Sequence, residues 1–253
     1  MFLKRLESLT PLIGVAGFIL LWWLFCQLGI IEPVLLPPPE AAFKAIWDGF
    51  AGGSLVKDFF ITVKRTLYAF VLAVVISVPL GIILGSSRRV YSSVEFVIDF
   101  FRSTPASALF PLFLVILGVG EGTKIAVAAF GASLMILFNT AYGVMNAKKT
   151  RQAAARVMGA SPGRVMLHVT LLESLPQTFV GMRTGVSFAL VIVIVAEMFI
   201  GSTDGLGQRV INAQMVFNMP EMYATIFGAG VLGYGLNLLF ILVERRFVHW
   251  GGK

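Results

Sequence analysis

The stretch TLYAFVLAVVISVPLGIILG, residues 66–85, holds twenty residues without a single charge and is closed on its far side by Arg88 and Arg89. At 1.5 Å of rise per residue such a run makes a helix about 30 Å long, the thickness of a bilayer's hydrocarbon core. About twenty uncharged residues are what a helix needs to span it. The segment therefore sets the fold class as an all-α membrane protein.

The composition extends that reading to the whole chain of 253 residues, of which 57% are hydrophobic and 13% charged, with a mean hydropathy of +0.87. Charges at this density cannot coat a soluble domain. The single cysteine, Cys26, excludes a disulfide framework, and with only His168 and His249 there is no histidine cluster for a metal. Scanning outward from 66–85, the apolar stretches predict six spans at about 12–31, 64–85, 94–118, 124–145, 178–200 and 222–243. The first follows Lys4 and Arg5 as a signal peptide would, but no small-residue cleavage site comes after it and Trp22 and Trp23 lie inside it, so it reads as a retained span. The third carries Glu95, Asp99 and Arg102 on one helical face of its first turns, where Asp99 and Arg102 can pair.

The net charge of +7 does not point to nucleic acid, because the basic residues fall between apolar segments. Twelve of them (Lys4, Arg5, Arg88, Arg89, Lys148, Lys149, Arg151, Arg156, Arg164, Arg245, Arg246 and Lys253) fall on one side of the predicted membrane. Six fall on the other: Lys44, Lys57, Lys64, Arg65, Lys124 and Arg209. The richer side faces the cytoplasm, which places both termini and both histidines there. Gly81 with Gly85, and Gly181 with Gly185, put small residues on single helix faces and predict close helix packing.

Residues 146–176 form the long cytoplasmic loop. Within it the run Gln152-Ala153-Ala154-Ala155-Arg156-Val157-Met158-Gly159-Ala160-Ser161 reads as a helix ended by glycine, and Pro162-Gly163 opens a second amphipathic stretch. From composition alone it fits a protein-docking element and a basic interfacial helix equally.

The run resembles the EAA loop of permease subunits of bacterial ABC importers: Glu-Ala-Ala, three residues, Gly, nine residues, a branched apolar residue, one residue, Leu-Pro. Ala154, Ala155, Gly159, Val169 and Leu171 match; Ala153 stands in place of the glutamate and Leu172 in place of the proline, with Pro176 further on. Leu35 to Glu40, Arg65-Thr66-Leu67, Arg102-Ser103-Thr104-Pro105 with Pro111 and Gly118-Val119-Gly120, and Ala196-Glu197-Met198 with Gly205-Leu206-Gly207 are similar, in order, to motifs of the nitrate, sulfonate and taurine branch. The likeness covers roughly residues 30–250.

What the resemblance implies is a six-helix type I ABC importer transmembrane fold with a cytoplasmic coupling helix, in the bacterial inner membrane. The chain would be the translocation-pathway subunit for a small anionic solute, itself no enzyme. Its partners would be a second copy in a homodimer, two ATPase subunits, a periplasmic or lipid-anchored solute-binding protein, and membrane lipid. ATP and Mg would be bound by the ATPase partners and no cofactor by this chain, in keeping with the lack of a Walker A pattern. Residues 152–163, namely Gln152, Ala153, Ala154, Ala155, Arg156, Gly159, Ala160, Ser161, Pro162 and Gly163, would couple to the ATPase.

Charges and polar groups inside the spans mark a gate or pathway. Glu197, near the outer end of the fifth span, is expected to pair with Lys124 or Arg209; Arg183 is expected at the lipid heads; Asn139 and Ser187 stand as pathway candidates, with interhelical hydrogen bonds the plainer explanation. Two other classes frame the reading. A secondary transporter needs midplane ion-coupling carboxylates, and an intramembrane lipid-modifying enzyme needs an acid–base or metal set that the two histidines and Glu197, on opposite sides, do not assemble.

Overall fold

The computed structural model describes the backbone of residues 2–248 and the side chains of residues 12–248. His249 and Lys253, and the side chains of Lys4 and Arg5, lie outside the described residues. The helices are α1 Phe2–Gln27, α2 Pro39–Ala51, α3 Ser54–Gly85, α4 Arg88–Ser103, α5 Phe110–Leu117, α6 Glu121–Met145, α7 Lys149–Val157, α8 Pro162–Val165, α9 Leu171–Phe199, α10 Leu206–Met215 and α11 Met219–Phe247. A 3₁₀ turn, Ala106–Leu109, precedes α5, and a π turn, Met166–Thr170, joins α8 to α9.

The bundle is organised around α6, gripped between α3 and α9, and the paired glycines make that possible. A Cβ on Gly81 would lie 2.7 Å from Thr140 Cβ, and one on Gly85 2.6 Å from the Ala141 carbonyl. On the other flank a Cβ on Gly181 would lie 2.6 Å from Asn139 Cβ, and one on Gly185 2.7 Å from Ile136 Cγ1. These matches run α3 parallel and α9 antiparallel to α6. The seam is filled by Ala69, Ala73, Val127, Ala128, Ala132, Ala189, Val193 and Ala196, all buried. In lipid, where burying apolar surface adds no driving force, close backbone approach through small residues is what holds helices together. α11 covers α9, and α1 joins it through Trp22, stacked at 5.5 Å on Phe227 and 5.9 Å on Tyr223.

Several predicted boundaries move. Span 94–118 is not one helix: α4 and α5 are bent by 92° at the break between them. Thr104 is extended (φ −80°, ψ 125°) because Pro105 excludes the α region for the residue before it, and Pro111 starts the new helix in α5. Hydropathy, summed over a window, does not register that break. Span 64–85 begins at Ser54, since Lys57, Asp58 and Arg65 are paired within the protein, with Asp204, with Arg209 and with Glu121 and Glu197. Span 178–200 begins at Leu171 and continues back through the π turn to Pro162. That continuation stays helical through Pro176, which lies inside α9, so the 146–176 loop is largely helical. Spans 124–145 and 222–243 are extended at their ends, to Glu121 and to Met219 and Phe247, while the first helix ends at Gln27, four residues before the predicted Ile31. Among the described residues four helices are long and apolar enough to cross a membrane, or five if the bent pair is one span; the described apolar part of α1 is the shorter Leu12–Gln27.

Candidate functional site

At the end of the bundle where α3 and α6 begin and α9 ends, four charged side chains meet. Glu197 and Lys124 are 0% and 2% exposed, and Arg65 6%. The Arg65 guanidinium spends all five of its N–H groups. Nε and Nη2 form a fork on the two Glu121 carboxylate oxygens at 2.6 Å each, Nη1 reaches Glu197 Oε1 and the Asp204 carbonyl at 2.7 Å each, and Nη2 also donates to Ser202 Oγ at 3.0 Å. Glu197 further accepts from Thr62 Oγ1 at 3.0 Å and from the Gly207 amide at 2.8 Å, and the Leu206 amide donates to Thr62 Oγ1 at 2.9 Å. Lys124 pairs with Glu121 at 2.7 Å and donates to Ser202 Oγ at 3.1 Å and the Gly201 carbonyl at 3.4 Å.

The local sequence explains the convergence. Thr62 and Arg65 sit at i, i+3 on α3, and Glu121 and Lys124 at i, i+3 on α6, so each helix presents two polar groups on one face. Gly207 lets α10 close over Glu197: a Cβ there would strike the Ile194 carbonyl. Gly205, at φ +123°, turns the chain where a Cβ would lie 2.5 Å from Glu197 Cδ. The connecting segment is pinned again by Asp58, which accepts from the Gly205 amide at 2.8 Å and pairs with Arg209 at 3.1 Å. Lys57 meets Asp204 at 2.5 Å and holds that carboxyl below the usual carboxylate range.

This corrects the expected pairing. Glu197 is held by Arg65; Lys124 serves Glu121, and Arg209 serves Asp58 and, at 2.7 Å, Glu221. Arg65 and Glu121 are the residues that sequence reasoning missed. By its position Arg65 reads as an external-loop charge, although its i, i+3 relation to Thr62 is a usable signal. Arg183 faces Glu244 of α11 at 3.7 Å, and Asp99 pairs with Arg102 at 3.1 Å as expected. Asn139 and Ser187 do not join the cluster. Asn139 bonds the Met135 carbonyl at 2.8 Å and accepts from Gln177 Nε2 at 2.7 Å, a link from α6 to α9, while Ser187 bonds its own helix at Arg183.

The opposite end carries the helical turn of residues 149–165. Helix α7 holds Gln152, Ala153, Ala154, Ala155 and Arg156 and ends in a Schellman motif: the Ala160 amide bonds the Ala155 carbonyl at 3.0 Å and the Gly159 amide the Arg156 carbonyl at 2.9 Å, with Gly159 at φ +85°. Ser161 then caps α8, its Oγ accepting from the Arg164 amide at 3.5 Å, with Pro162 at the first helical position and Gly163 behind it. Ala153 is exposed; the anchor comes from Glu173 of α9, which takes the Lys148 amide and Arg151 Nη1, the latter at 2.7 Å. Val157 and Met158 stand at the tip, 88% and 81% exposed.

With this geometry in hand, likenesses to known proteins acquire weight. The family model described as "Binding-protein-dependent transport system inner membrane component" matches residues 77–250. A Brucella melitensis protein named "Probable ABC transporter permease protein" is 32% identical over 245 residues, 97% of this chain and 96% of its own. The taurine transport system permease protein of Escherichia coli is 28% identical over 253 residues, 98% of this chain and 92% of its own. Among solved structures, an inward-facing MetNI methionine ABC transporter chain superposes with a TM-score of 0.67 at 22% identity, over 76% of this chain and 95% of that one. At that identity the likeness establishes the fold, that of a type I importer permease.

Proposed function

Since the chain belongs to the inner-membrane components of binding-protein-dependent transport systems, in the nitrate, sulfonate and taurine branch of ABC importers, we propose that it forms the pathway for a small anionic solute. It is a multi-pass membrane permease subunit that works with an ATPase and a solute-binding protein. The solute class is supported by relatives named for taurine, aliphatic sulfonates and bicarbonate transport, all compounds bearing an oxyanion. ATP and Mg belong to the partner ATPases. Two copies of this chain face each other, and both termini lie in the cytoplasm. Glu197, paired to Arg65 and buried at the external end, is not the free midplane carboxylate that a secondary transporter needs.

The observation that carries the mechanism is the turn at Gly159. An exposed Val157–Met158 tip beside a rigid Schellman cap, tied back to α9 by Glu173, is an apolar knob on a stiff lever. Docked in the ATPase, it transmits closure of the nucleotide sites into α9, which runs unbroken to Glu197 at the far end. The external cluster joins α3, α6 and α9 into one block, so displacement at one end moves the external mouth as a unit. Gly159→Val forces a β-branched residue into left-handed backbone, at a cost of at least ~1–2 kcal/mol. It is expected to release the ATPase on co-purification and abolish uptake, whereas Gly159→Asn, which tolerates that backbone, retains both. Equal ATPase retention in wild type and Gly159→Val overturns the assignment.

Topology is checked separately. A reporter active only outside the cytoplasm is expected to be silent when fused after Lys253 and active near Gly52 or Asp204. Activity at Lys253 refutes the orientation.

A further inference from the structure

Between the start of α4, the end of α6 and the α7–α8 turn lies a cleft of about 630 Å³ whose wall shares Gln152, Arg156 and Pro162 with the coupling turn. Three cations line it, Arg88, Lys149 and Arg156, against one carboxylate, Glu95. Among the described residues none of these three cations has an acidic partner within ion-pair distance, in contrast to Arg65, Lys124, Arg151, Arg183 and Arg209. Helix ends of both signs open on the cleft, the starts of α4 and α7 and the ends of α3 and α6, so their dipoles offset and the side chains set the local charge.

A second feature points to a ligand. Tyr91 lines the cleft while only 6% exposed, and its hydroxyl has no hydrogen-bond partner among the described residues. The ring is buried while the hydroxyl reaches the cleft, free to donate to a ligand. Beside it, Gln152, half-buried on α7, brings amide donors to the same wall. Uncompensated cations around an unfilled hydroxyl donor are the chemistry that binds an oxyanion, with two guanidiniums able to fork on its oxygens.

We propose that this cleft is an oxyanion-binding site, taking a sulfate-, sulfonate- or phosphate-type group between α4 and the coupling turn. Its place on the cytoplasmic side rests on the importer reading; its binding chemistry does not. An anion seated there bridges Arg88 of the bundle to Lys149 and Arg156 of α7, and so stiffens the joint through which the ATPase acts. The group comes either from a free anion or from a phospholipid headgroup of the inner leaflet.

The test uses the full chain in nanodiscs, with inorganic sulfate as the probe at constant ionic strength. In phosphatidylcholine discs radiolabelled sulfate is expected to bind saturably. Arg156→Gln is expected to weaken it about tenfold, as is usual for a charge-assisted contact, and Tyr91→Phe several-fold. Arg245→Gln, an exposed cation outside the cleft, leaves it unchanged. Discs of phosphatidylglycerol separate the sources: a headgroup in the cleft raises the sulfate Kd there, and native mass spectra show retained lipid that is lost in the Lys149→Gln, Arg156→Gln double variant. Unaltered sulfate affinity in those discs assigns the site to a free anion. Sulfate binding that never saturates, together with lipid retention equal in wild type and double variant, overturns the proposal, as does saturable binding indifferent to the cleft variants. None of these readouts involves transport or an ATPase, so they fail independently of the importer reading.

Discussion

Replacing Arg65 by methionine is expected to destabilise the folded permease sharply. Methionine fills much of the same volume but donates nothing. Glu197, fully buried, would keep only Thr62 and the Gly207 amide, and Glu121 only Lys124. Removing one partner of a buried pair costs about 3–5 kcal/mol, because the remaining charge stays desolvated. For a chain of this size that corresponds to a fall in unfolding midpoint on the order of 10 °C. Arg65→Lys is expected to be intermediate, since an ammonium cannot fork on Glu121 while also reaching Glu197. Combining Arg65→Met with Glu197→Gln should recover part of the loss, as the second change neutralises the orphaned carboxylate. Exchanging charges between Glu197 and Lys124 should recover nothing, because those two are not partners. Thermal unfolding of the purified permease in detergent measures all four; a midpoint for Arg65→Met within 2 °C of wild type refutes the cluster as a structural lock.

How far the sequence discloses this arrangement depends on the range over which each signal acts. The apolar run at 66–85, the glycine pairs and the Gly159 turn are local or strictly periodic, and each appears in the structure where the sequence places it. The Arg65 contacts join residues 56 and 132 positions apart, and nothing near Arg65 names Glu121 or Glu197 as partners. A cation close to a span end then reads as a loop charge, although its five bonds place it inside the protein. The break at Pro105 is the reverse case. Pro105 stands between apolar residues on both sides, and their hydropathy favours a single span, because hydropathy reports what lipid tolerates and is blind to chain direction. Helices α2 and α10 escaped because each is short and amphipathic, and is placed by what covers it. For α10 that cover includes Leu206, sealed beneath α3 and α11 with Leu55 and Leu232.

The α3–α6 seam should be as intolerant as the charge cluster, for steric reasons. At Gly85 a Cβ would come within 2.6 Å of the Ala141 carbonyl, 2.7 Å of Val144 Cβ and 3.0 Å of Ala141 Cα. Two of those three atoms are backbone, so no rotamer change makes room and the helices must separate. Alanine there is expected to cost about 1–3 kcal/mol, the usual penalty of overpacking. Leucine must also part the contacts at Gly81, where Thr140 and the Leu137 carbonyl lie as near, and is expected to abolish the folded state. The consequence reaches both functional ends, because α6 carries Glu121 and Lys124 at its start and leads directly into α7 at its close. Gly85→Leu should therefore lose the charge cluster and the α7–α8 turn together. Gly235 supplies the control: it lies inside α11 with nothing within 4 Å of an added Cβ, so Gly235→Ala is expected to be neutral or slightly stabilising through the better helix propensity of alanine. Membrane levels of the three variants, with protease resistance of the solubilised protein, provide the comparison. Wild-type yield and resistance for Gly85→Leu would mean that α3 and α6 do not meet at this seam.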